Sequence, residues 1–190
     1  PMVWMFHSDP GSLALIQRQG VSPRAITRHR DRSRRNLEAF LESSTAKSEP
    51  VVISAEGIVR VDSPGRKDLA VFLRRFFARI TVVAYIRPPF GYVSSAFQQR
   101  LKGGQMNGFN LDSAWPRYRE NLEDWDEHYG RENVLFWKYE PERFPDGCVV
   151  QDFARRIGLV LSAGNVRRAN GSISRTAAAI LYAYRKHGPS

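Results

Sequence analysis

Apolar positions along this chain follow two periods, and the changes between them mark its elements. Val82, Val83, Ala84, Tyr85 and Ile86 form a continuous apolar run that stops at Arg87, the pattern of a buried strand. Pro88 and Pro89 follow at once. Proline suits a first helical turn, because its φ is already helical and its missing N–H is not needed there, so Phe90 to Leu101 is predicted to be a helix. Upstream, Leu69, Phe72, Leu73, Phe76 and Phe77 predict an inward helix face over Asp68 to Phe77, and Arg32 to Ser43 predicts another helix. Downstream, Trp115, Tyr118, Leu122, Trp125 and Tyr129 recur at steps of three and four and predict an amphipathic helix stopped by Gly130. Asn133 to Tyr139 reads as another buried strand, Gly147 to Ile157 as a helix, and Val51 to Ser54 as an earlier strand. Pro1 to Ile26 has no clear period and is expected to be extended. Lys102 to Asp112, rich in glycine and asparagine, is expected to be a mobile loop.

Strands alternating with helices predict an α/β domain with a parallel, helix-covered sheet, and right-handed crossovers place the strand carboxyl ends on one edge. At such an edge a helix N-terminus offers unpaired N–H groups and the positive end of its macrodipole to an anion. Arg87 is predicted to stand there. The Val51 to Ser54 strand would bring Glu56 to the same edge.

Arg87, Pro89 and Ser95, followed by Ala96 and Phe97, resemble the 3′-phosphate-binding segment of the sulfotransferases, which take a sulfuryl group from 3′-phosphoadenosine 5′-phosphosulfate (PAPS). The chemistry of the match is direct: a guanidinium binds phosphate through two parallel hydrogen bonds, and a hydroxyl adds a neutral one. The order downstream is similar to that of bacterial members: a helix with a Trp, the Tyr129-Gly130 turn, a strand ending in Tyr139-Glu140, a helix closing on Gly158-Leu159, and Asn170 to Ser174 before a last helix. The resemblance covers roughly Val51 to Tyr184. It implies a P-loop-NTPase-like three-layer α/β/α fold, PAPS as co-substrate without a metal, and a hydroxyl acceptor on a carbohydrate, lipid or small molecule. It also implies a base that takes the acceptor proton. Glu56 is the positional match, with pairing to an arginine as its other reading, and His7 is the competing base. Arg167, Arg168 and Asn170 do not reproduce the Arg-Lys-Gly element of the better-known cytosolic enzymes, and a lid role for them stays open.

One expected feature is missing. Sulfotransferases cradle the 5′-phosphosulfate in a Gly-x-x-Lys-Ser/Thr-Gly-Ser/Thr loop after their first strand, and no segment of this chain has that pattern. The chain begins at Pro1, so the expectation is a single sulfotransferase-like domain truncated after its first strand, loop and helix, inactive alone.

Composition narrows the alternatives. The 190 residues are 42% hydrophobic with a mean hydropathy of −0.43, which suits a globular domain, and no apolar run approaches the length of a bilayer span, so the cytoplasm is the expected location. Cys148 is alone, which excludes an internal disulfide and a cysteine-rich zinc site and suggests a small core residue. His29, His128 and His187 lack metal-ligand spacing. Aromatic residues of the strands and helices, Trp137 among them, are expected in the core. The net charge of +10 favours an anionic partner, and Arg24, Arg28, Arg30, Arg32, Arg34 and Arg35 concentrate part of it, as a solvated helix start or as a basic patch. The alternative to an enzyme is therefore a non-catalytic basic module for a polyanionic glycan or nucleic acid. Against nucleic acid, the basic residues are not interleaved with aromatics, and no nucleic-acid-binding signature occurs.

Overall fold

The computed structural model describes residues 2–46, 50–104, 110–162, 164, 166 and 171–188, with the backbone alone at residues 14, 15, 56 and 113. These residues are α/β and mostly helical, with one parallel pair of strands, β1 (Val82–Ile86) and β2 (Val134–Lys138). The chain divides into two compact units, residues 1–83 with 118–135 and residues 84–117 with 136–190.

The first unit begins in helices: α1 (Met2–Phe6), α2 (Ala14–Arg18) and α3 (Pro23–Thr45), where the sequence suggested an extended start. α1 and α2 are each shorter than two turns, too short for a helical period to show in the sequence. Ser22 caps α3 by accepting from the Ala25 N–H, and Pro23 opens the helix, so α3 starts well before Arg32. α4 (Ser63–Arg74) buries Leu69, Ala70, Phe72 and Leu73 against Phe6, Leu41 and Val61, while Phe76 and Phe77 pack on this core from the turn beyond. Gly65 is obligatory at the start of α4. A Cβ there would overlap the Phe6 carbonyl oxygen and lie 2.7 Å from Val61 Cγ1. Arg66 of α4 is 4% exposed; it is paired with Asp124, donates from Nη2 to Val59 O at 3.1 Å, and lies 5.3 Å from the Trp125 ring centroid.

Val51 to Ser54 is not a strand. The segment keeps a strand's alternation, with Val51, Ile53 and Ala55 half-buried on the core, but no described residue pairs with its backbone in a ladder. The helix expected across Trp115 to Tyr129 is also divided, into α7 (Tyr118–Leu122) and α8 (Trp125–Tyr129), and a separate short helix, α6 (Leu111–Ala114), ends just before it. Pro116 supplies the reason for the break between α6 and α7, since the residue before a proline is driven out of the helical region. Trp115 is consequently 57% exposed, and Phe136 on β2 is 40% exposed, so these aromatics are not core residues. Trp125 and Tyr129 are buried, and Gly130, at φ 86°, ends α8.

In the second unit, the part of β1 from Ala84 on leads into α5 (Pro89–Lys102), and the part of β2 from Phe136 on leads through short turns to α9 (Val149–Arg156), with α10 (Arg175–His187) closing the described chain. Cys148 is buried ahead of α9. Ser174 caps α10 through the Ala177 N–H, and α5 holds the approach to that cap: Lys102 donates to Gly171 O at 2.6 Å, and Gln98 Oε1 accepts from the Ile173 N–H at 3.2 Å. Part of the expected 102–112 loop lies outside the described residues.

Candidate functional site

The site is built from the end of β1 and the beginning of α5. Pro88 remains extended at ψ 141°, Pro89 enters the helix, and the Tyr92 N–H makes the first bond back to Pro88 O at 2.9 Å. The N–H groups of the first turn have no partner within the helix, as at any helix start. Arg87 is half-buried immediately before this turn.

Two contacts determine where its side chain runs. The aliphatic stem passes over Gly91, where a Cβ would lie 3.5 Å from Arg87 Cγ, and the guanidinium carbon lies 4.0 Å from the Tyr139 ring centroid. Tyr139 follows β2, and its N–H donates to Ile86 O at 2.9 Å, which brings the ring to the residue after Ile86. Phe144 and Tyr85 brace that ring edge-on at 5.4 and 6.5 Å between centroids. Ser95 is half-buried one helical turn after Gly91, on the same face of α5. Arg87 and Ser95 thus belong to one helix face, the one that the arginine stem crosses.

Behind this face is a network that the sequence reading missed. Tyr85 donates its hydroxyl to Asp152 Oδ2 at 2.5 Å, Arg156 Nε donates to the same oxygen at 2.7 Å, and the Arg156 guanidinium lies 4.8 Å from the Trp137 centroid. Burial pushes the Asp152 carboxyl up, but hydrogen bonds from Tyr85 and Arg156 outweigh it and hold the group below its ordinary value. Burial, then the Asp152 hydrogen bond and charge, push the Tyr85 hydroxyl well above its ordinary range. The Asp152 and Arg156 spacing of four on a helix was the available signal.

Glu56 is in the first unit, in a 3-10 turn over Glu56–Arg60, and its side chain lies outside the described residues, as do Arg167, Arg168 and Asn170. His7 belongs to a different arrangement. Its Nδ1 accepts from the Asp9 N–H at 3.2 Å and lies 3.8 Å from Asp62 Oδ1, while Ser8 donates to both Asp62 oxygens and so ties the end of α1 to the start of α4. Burial raises Asp62, and the hydrogen bonds from Ser8 lead the effects that more than reverse this.

A cavity of about 480 Å³ flanks α5 within the second unit. Val93, Phe97, Leu111 and Ala178 form its apolar wall, with Ser94, Gln98 and Arg175 as polar edges. Its size is that of small-molecule pockets generally. No protein-family model matches this chain, and comparison with curated proteins and with solved structures likewise returns no match.

Proposed function

We propose that this chain carries the 3′-phosphate-binding part of a PAPS-dependent sulfotransferase, on a P-loop-NTPase-like three-layer α/β/α scaffold. The observation behind the reading is Arg87 at the carboxyl end of a parallel strand, directly before a helix start, with its stem on the helix face that also carries Ser95. In this reading Arg87 takes two oxygens of the 3′-phosphate, Ser95 donates a third hydrogen bond, and the α5 N-terminus adds its positive end. The cavity beside α5 accommodates the hydroxyl-bearing acceptor.

In sulfuryl transfer the acceptor oxygen attacks sulfur in line, the bond from sulfur to the bridging phosphate oxygen breaks, and the departing electron pair stays on adenosine 3′,5′-bisphosphate. The resemblance gives the part of receiving the acceptor proton to Glu56, on the sequence alone. The phosphosulfate itself needs a cationic cradle of the glycine and lysine type, which this sequence does not contain. The chain is therefore assigned the nucleotide's 3′ end and not transfer on its own.

Titration calorimetry with adenosine 3′,5′-bisphosphate and adenosine 5′-monophosphate tests the reading. The bisphosphate is expected to bind more tightly, and Arg87→Ala to erase the difference. Equal affinity of the wild type for the two nucleotides, or no binding of either, overturns the proposal.

A further inference from the structure

The first half of α3 holds six arginines between Arg24 and Arg35, and the fold separates them into two sets. Arg30 and Arg34 serve the first unit: Arg30 Nε donates to Met5 O at 3.1 Å, and Arg34 binds both oxygens of Asp68 at 2.7 and 3.1 Å. Arg24, Arg28, Arg32 and Arg35 stand at steps of four, four and three, which places them on one ridge of the helix, and all are exposed. At 1.5 Å per residue the ridge is about 16 Å long. None of these side chains pairs with a described residue, and Asp31, the one carboxylate among them, does not either.

This ridge works against its own helix. Like charges three and four residues apart repel, and Arg24 in the first turn faces the positive end of the macrodipole. A row of anions laid along the ridge reverses both effects. We propose that the ridge docks a linear acidic polysaccharide, each guanidinium taking a sulfate or carboxylate of the sugar chain. Guanidinium forks match both groups, and a single straight row suits one extended strand. Single-stranded nucleic acids are held by stacking of bases on aromatic rings, and the ridge contains no Phe, Trp or Tyr. An interfacial membrane helix needs an apolar flank, which Thr27, Asp31 and Asn36 do not provide. The assignment is independent of the nucleotide reading.

The test is fluorescence anisotropy of a labelled heparin oligosaccharide with the full chain at about 0.1 M NaCl. Changing Arg24, Arg28, Arg32 and Arg35 together to Gln is expected to lower affinity about 100-fold, with helical circular dichroism kept and the melting temperature unchanged or raised. A control changes Arg18, Arg60, Lys67 and Arg79 to Gln, removing the same charge from exposed positions of the same unit, and is expected to cost less than about tenfold. Equal losses in the two variants, absence of saturable binding, or tighter binding to DNA of matched charge or to anionic vesicles overturns the proposal.

Discussion

The guanidinium of Arg87 lies 4.0 Å from the centre of the Tyr139 ring, so the arginine that follows β1 is held by the residue that follows β2. Stacking against the ring face leaves the edge of the guanidinium, where its N–H groups are, directed to the sides. Arg87→Ala is expected to weaken adenosine 3′,5′-bisphosphate binding by about 1.5–3 kcal/mol, and Ser95→Ala by less, because it removes an uncharged partner. Arg87→Lys should recover little, since an ammonium keeps the charge but loses the fork and the stack. Calorimetric affinities of the three variants check the ordering, and a Ser95→Ala loss exceeding that of Arg87→Ala would contradict it.

Nucleotide binding and transfer are expected to separate. Incubated with labelled PAPS and a panel of hydroxyl acceptors, the 190-residue chain should bind nucleotide without transferring sulfate. In a protein that joins this chain to a lysine-containing phosphosulfate loop, Glu56→Gln is expected to reduce turnover about 10²–10⁴-fold at unchanged nucleotide affinity, because only a proton transfer is lost. Full turnover in that variant would move the base role elsewhere.

Gly65→Ala should destabilise the first unit by about 1–3 kcal/mol, because the added methyl meets the Phe6 backbone and Val61, neither of which is the free end of a flexible side chain. Urea unfolding followed by tryptophan fluorescence measures the shift. A midpoint equal to wild type would show that α1 moves away at no cost.

Acid should weaken both units for the same reason. Asp62 and Asp152 have their carboxyls held below the ordinary value of 3.8, so the stability they contribute is present above pH 3.8 and is lost as pH falls through their folded values. Tyr85 is displaced upward, so its contribution is present below its ordinary value of 10.0 and declines as pH rises beyond it. The difference in urea midpoint between wild type and Asp152→Asn should accordingly be largest near neutral pH and shrink below pH 3.8. A difference independent of pH would remove the linkage to Asp152.

Elements that depend on neighbours in sequence are legible in the sequence alone. The run Val82 to Ile86, the Pro88-Pro89 junction and the Asn133 to Tyr139 stretch became β1, the start of α5 and β2 within a residue or two, since proline dihedrals and continuous apolar runs act locally. The four-residue spacing of Gly91 and Ser95 likewise puts the two on one face once the helix forms. Where distant partners decide, sequence could not. Val51 to Ala55 has the alternation of a strand, but a strand also requires a neighbour with open backbone groups, and alternation does not supply one. The same holds for the arginines of α3. Their composition is one continuous basic run, yet only the packing of α1 and α4 on α3 assigns Arg30 and Arg34 to Met5 and Asp68 and leaves the ridge from Arg24 to Arg35 facing water, because a helix shows its neighbours one side at a time.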